Sequence, residues 1–103
     1  MNSKKKGSAA EREFAAILTE HGFPARRNDQ RFQGGFENPD VSAHGLEQYH
    51  FEVKRVERLC VPEAMRQAMR DCAGRIPVVV HRRSREGWLV TLPLVDWLRE
   101  MKV

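Results

Sequence analysis

The chain has 103 residues, 41% of them hydrophobic and 31% charged, a size and balance that fit one domain and leave no room for a second. Its longest apolar run, Ile76 to Val80, is broken by Pro77 and falls far short of the roughly 18 residues that cross a bilayer, so no membrane association is expected. The net charge of +4, from 18 Lys and Arg against 14 Asp and Glu, points to an anionic partner without saying which.

Met1 to Lys6 is basic but runs into Gly7-Ser8-Ala9 with no signal-peptide core, so a cytoplasmic location is expected, with residues 1–7 a flexible basic lead into a single domain spanning 1–103. Between residues 8 and 21, Ala10, Phe14, Ile17 and Leu18 recur at helical spacing and Gly22 closes the helix. Phe23 to Arg27 reads as a short strand, and the polar stretch from Asn28 to Asn38, with Gly34-Gly35, as a mobile loop that Pro39 ends. Asp40 to His44 and Gln48 to Val56 flank Gly45 as a hairpin; in the second run Tyr49, Phe51 and Val53 take one face and His50, Glu52 and Lys54 the other. Pro62 and Gly74 bracket a second helix with the stripe Val61, Met65, Ala68 and Cys72. Ile76 to Arg82 and Trp88 to Thr91 read as strands around a turn at 84–87, and Leu94, Trp97, Leu98 and Met101 mark a last helix that Thr91 is placed to cap. The order α-β-β-β-α-β-β-α predicts an α/β fold, a mixed central sheet flanked by helices.

Cys60 and Cys72 have neither a CxxC unit nor paired histidines at zinc spacing, so they are read as small buried apolar residues. Residues 55–85 hold eight arginines against Glu57, Glu63 and Asp71, a run that suits either a solvated surface or a nucleic acid.

Glu52 and Lys54 share a strand face, which by itself is an ordinary surface ion pair. Asp40 changes the reading. It begins the neighbouring strand of the hairpin, and the spacing from Asp40 to Glu52 suits two short strands and a turn that bring both carboxylates to one end. Converging carboxylates repel unless a cation lies between them, and a hard, oxygen-ligated Mg²⁺ is the natural occupant. A metal that acidifies water, beside a lysine that stabilises developing charge, supplies what phosphodiester hydrolysis requires.

Pro39-Asp40 followed by Glu52-Val53-Lys54 resembles the PD-(D/E)xK nuclease superfamily, and Lys6-Gly7-Ser8-Ala9-Ala10-Glu11-Arg12-Glu13 is similar to the amino-terminal motif of its archaeal-type Holliday junction resolvases. The resemblance spans positions 4 to about 82 and implies a restriction-endonuclease-like core. It also implies Asp40, Glu52 and the carbonyl of Val53 as metal ligands, Lys54 as the residue that positions or activates water, and Glu11 as the first-helix glutamate. Those resolvases carry a serine in the loop before the Pro-Asp motif, and the stretch 28–38 has none. Ser8-x-x-Glu11 also reads as a helix-capping box, and Glu13 competes with Glu11 for the place facing the site. His50 is read as a surface or partner-bonded histidine and Gln67 as a solvated side chain.

The reading is a Mg²⁺-dependent DNA endonuclease, with Mn²⁺ able to substitute, acting on structured or branched DNA; the alternative is an inactive nucleic-acid-binding module on the same fold. Lys5, Lys6, Arg27, Arg31 and Arg55 lie beside the motifs and are the expected phosphate contacts. A homodimer through Val78 to Val80, Trp88, Trp97 and Met101 is expected to cover their apolar surface and to pair two active sites.

Overall fold

The computed structural model describes residues 3–28 and 38–102, with side chains from residue 7 onward. Helix α1 (Ser3–Glu20) precedes strands β1 (Ala25–Arg27), β2 (Val41–Ala43) and β3 (Tyr49–Arg55). Helix α2 (Val61–Asp71), strands β4 (Ile76–Arg82) and β5 (Leu89–Thr91) and helix α3 (Leu94–Met101) follow, in the predicted order. The five strands lie in the sheet as β1-β2-β3-β4-β5. Only β3 and β4, which α2 joins, run parallel; the other neighbours are antiparallel. The α/β class and the mixed sheet are as the sequence predicts.

The period of two along β3 and β4 sorts side chains between two layers. On one face α1 sets Ala10, Phe14 and Ala15 against Val41, Phe51, Val53, Val78 and Val80, and the Phe14 ring meets Phe51 edge-on at 5.2 Å. On the other, Ala64 and Ala68 bring α2 close to Val79. Gly22 (φ +94°) and Gly74 (φ +83°) take the left-handed conformation just beyond α1 and α2.

Several expectations are corrected. The backbone is already helical from Ser3, so Ser8 lies inside the helix, where no capping box forms. Gly7 stays in the helix because a single glycine costs only about 1 kcal/mol there. Cys60 is exposed and Cys72 half-buried, both as free thiols, because the buried face of α2 centres on Ala64 and Ala68 rather than on the Met65 stripe. Thr91 bonds His81 within the sheet, and the N-cap of α3 is Pro93.

The apolar carboxy-terminal surface is also smaller than expected. Val78 to Val80 are core residues. Trp88 is half-buried against Phe14, and its indole N–H donates to Glu13 Oε1 at 2.8 Å. Trp97 and Met101 remain exposed, on a helix with no buried residue. No helix among the described residues is long and apolar enough to cross a membrane.

Candidate active site

The register of the hairpin builds the site. Val41 pairs with Phe51, and both point into the α1 layer, so Asp40, the residue just before β2, stands across from Glu52 and both carboxylates leave the opposite face. The Asp40 amide donates to Phe51 O at 2.9 Å, and Asp40 Oδ2 accepts from the Val53 amide at 2.8 Å. Asp40 is therefore fixed to β3 by two bonds.

Asn28 holds the corner from which Asp40 emerges. It is buried, and its side-chain amide donates to Pro39 O at 2.9 Å and to Ser42 Oγ at 2.7 Å. Its backbone amide donates to Asp40 O. This clamp closes the two ends of the segment 29–37; that segment, with Gly34-Gly35 and the expected phosphate contact Arg31, lies outside the described residues.

Glu52 is buried, and its Oε1 lies 2.8 Å from Nε2 of His50, which is wholly buried. A carboxylate oxygen only accepts, so the proton sits on Nε2. His50 is thus the partner-bonded member of its expected alternatives, and not a surface residue. Lys54 follows on the same face and donates from Nζ to Gln67 Oε1 at 3.2 Å. Gln67 is half-buried, which corrects its reading as solvated: with the helix face centred on Ala64 and Ala68, position 67 falls beside the sheet.

Glu11, not Glu13, belongs to this site. Its Oε1 accepts from Arg27 Nε at 2.7 Å, whereas Glu13 is held by Trp88 and by Arg82, whose Nε is 3.2 Å away. Burial, chiefly, and then the Glu52 carboxylate push the Glu11 carboxyl above its usual range, against the pull of Arg27. Asp40 is pushed up to about 7 by its own burial first and by Glu52 next, with Glu11 adding to the shift; the Val53 N–H and the Lys54 ammonium oppose it. Three carboxylates thus feel one another's charge beside one lysine.

Among the described residues, no three His, Cys, Asp or Glu side chains form a ready chelating group as they stand. The donor set nevertheless suits a hard cation: Asp40 and Glu52 stand across from each other at neighbouring strands, and burial first, then the Glu52 charge, pushes Asp40 up to about 7. Arg55 leaves β3 on the α1 side, opposite Lys54, and pairs in register with Arg82. The side chains of Lys5 and Lys6 lie outside the described residues.

Residues 2–62 match the family described as archaeal Holliday junction resolvase (hjc). The chain belongs to this family. At family level the chain is a junction-resolving nuclease. Its fold is similar to that in the 1.6 Å structure of Archaeoglobus fulgidus Hjc, a Holliday junction resolvase from an archaeal hyperthermophile. The TM-score is 0.61 and the identity 24%, over 84% of this chain and 72% of that one. The likeness at that identity bears on the fold, which is restriction-endonuclease-like. No curated protein matches the chain.

Proposed function

We propose that the chain is a Mg²⁺-dependent endonuclease that hydrolyses phosphodiester bonds in branched DNA, with Asp40, Glu52, Lys54 and Glu11 as its catalytic groups. The reading is carried by Asp40 standing across from Glu52 with Lys54 one step along the same face. The ion would be held by the Asp40 and Glu52 carboxylates and the Val53 carbonyl. Bound there, it supplies a Lewis acid that neutralises phosphoryl charge and makes water more acidic.

The chain's own groups do the rest. In the hydrolysis one water oxygen bonds to phosphorus, one P–O ester bond breaks, and the products are a phosphate monoester and a hydroxyl end. Lys54, steadied by Gln67, orients that water or meets the charge that builds on the phosphoryl oxygens. Glu11, held by Arg27, adds a third carboxylate that keeps the site receptive to a cation. Lys5, Lys6, Arg27, Arg31 and Arg55 are assigned to the DNA backbone, and a homodimer to the presentation of two sites to a two-fold-symmetric substrate. The compartment assigned is the cytoplasm.

The test is incubation with labelled four-way junction, flap, single-stranded and duplex DNA, in Mg²⁺, in Mn²⁺ and in EDTA. Metal-dependent cutting that favours the branched substrates is expected. Tight DNA binding without cutting in either metal would sink the proposal in favour of an inactive binding module.

A further inference from the structure

The carboxylates of Asp40 and Glu52 are anchored differently. Asp40 is fixed by the backbone amide of Val53, a donor that any non-proline residue at 53 would provide. Glu52 is fixed by a side chain, the imidazole of His50, through one 2.8 Å bond to Oε1. We propose that His50 is a positioning residue for Glu52, holding its carboxylate turned toward Asp40 so that the pair can take a divalent cation. This inference rests on the metal-site reading above.

His50 is wholly buried, yet its second ring nitrogen, Nδ1, has no hydrogen-bond partner among the described residues. Burying an unpaired polar atom is unfavourable. The face of β3 that His50 occupies meets the apolar layer of Val79, Ala64 and Ala68, and its register partner on β4 is Pro77, which has no N–H to offer. Leucine or phenylalanine there would fill the space without an orphaned atom. What the imidazole provides in return is the single bond to Glu52.

That bond acts against a specific force. Glu52 shares its surroundings with Asp40 and Glu11, and each of those carboxyls registers the Glu52 charge as repulsion. A glutamate has three side-chain torsions, so without an anchor Glu52 relaxes by swinging away from its like-charged neighbours. His50 removes that freedom before an ion arrives. Groups that orient metal ligands in this way are worth 10–100-fold in metal affinity.

The experiment compares the parent protein with His50→Leu and His50→Gln, glutamine retaining an N–H donor that leucine lacks. Mn²⁺ affinity without DNA is measured by calorimetry, the Mg²⁺ concentration for half-maximal cleavage by titration, DNA affinity in EDTA by anisotropy, and folding by thermal melting. His50→Leu should weaken Mn²⁺ binding 10–100-fold and raise the half-maximal Mg²⁺ similarly, with cleavage recovering at high Mg²⁺ and DNA affinity unchanged. His50→Gln should stay within a few-fold of the parent. A folded His50→Leu that binds Mn²⁺ like the parent overturns the proposal, as does equal loss in both variants. Should His50→Leu not fold, the glutamine variant decides: near-parental Mn²⁺ affinity supports the proposal, and a tenfold loss in a folded protein overturns it. A parent that binds no Mn²⁺ and cuts no DNA overturns the metal-site reading itself, and this inference with it.

Discussion

Asp40 Oδ2 accepts a hydrogen bond from the amide of Val53 at 2.8 Å, so the backbone of the strand that carries Glu52 and Lys54 also holds the carboxylate across from them. The bond has two consequences for Asp40→Asn. The asparagine carbonyl can still accept from Val53, so the fold persists, but a charged ligand is lost and cleavage should fall below detection while DNA binding remains. The same change removes the cost of burying an ionised carboxyl and, with it, the conflict with Glu52 and Glu11, and should stabilise the metal-free protein at pH 8. Chemical denaturation in EDTA measures the second effect, and a less stable variant would count against converged carboxylates.

The elevated Asp40 also sets a pH dependence. Its pKa rises from 3.8 in the unfolded chain to about 7 in the metal-free fold. Between those values the folded state holds a proton that the unfolded chain has released. Stability from this group is therefore full below about pH 4 and declines as pH rises through 7, by at most about 1.4 kcal/mol per unit. Metal binding runs the opposite way, because the ion must displace that proton: affinity should drop up to about tenfold per unit as pH falls below 7. Mn²⁺ titrations at pH 6 and 8 test this, and Asp40→Asn should flatten both profiles.

The strand that carries Glu52 and Lys54 was readable because its signal is local. A period of two puts Glu52 and Lys54 on one face whatever surrounds them, and the length of the hairpin brings Asp40 opposite. The residues that support them depend on contacts between elements, which no spacing reports. Asn28 was grouped with a loop, yet it bonds across to Pro39 and Ser42. Gln67 was set aside because Met65 was taken to mark the buried face of α2, whereas the small alanines 64 and 68 are what allow close approach to the sheet. The capping-box pattern at Ser8 misled for a simpler reason: a helix that starts earlier needs no cap there. A signal for His50 existed in its same-face spacing from Glu52, but burial gave it its meaning.

Lys54 and Gln67 should separate by magnitude. Lys54→Ala removes a group assigned to the transition state and should lower turnover 10²–10³-fold, or roughly 2.7–4 kcal/mol by analogy with an oxyanion donor. Gln67→Leu leaves the ammonium in place but frees it from its 3.2 Å bond, so a loss nearer tenfold is expected. Single-turnover cleavage rates measure both; a glutamine variant as slow as the alanine variant would give Gln67 a larger part than steadying Lys54.

DNA affinity should fall steeply with salt, its logarithm changing by about −0.9 per decade of salt for each duplex phosphate neutralised. Arg55 and Arg82 stand side by side in the β3–β4 register, and Glu13 already pairs with Arg82. Arg55→Ala should therefore flatten the slope by close to one phosphate, and Lys5→Ala with Lys6→Ala by up to two. A slope unchanged in either variant would take those residues out of the interface.

The apolar surface around β5 and α3 bears on assembly. Leu89, Val90, Leu94, Val95, Trp97, Leu98 and Met101 are between 47% and 67% exposed, and among the described residues β5 is the last strand of the sheet, with an unpaired edge. Patches of this kind on a small protein mark interaction surfaces, and unprotected strand edges invite pairing. A second copy joined here would cover both features at once, because a two-fold axis sets the same patch against itself. Asp40 and Glu52 sit at β2 and β3, with β4 between them and this edge, so the contact would leave the Asp40–Glu52 pair of each copy open to DNA. Light scattering at micromolar concentration should give twice the 11.9 kDa of one chain, and Leu98→Asp should halve that mass. The same substitution touches no catalytic group, so it should leave single nicks intact while abolishing paired cuts across a four-way junction. A parent of one-chain mass that still makes paired cuts would reject the dimer.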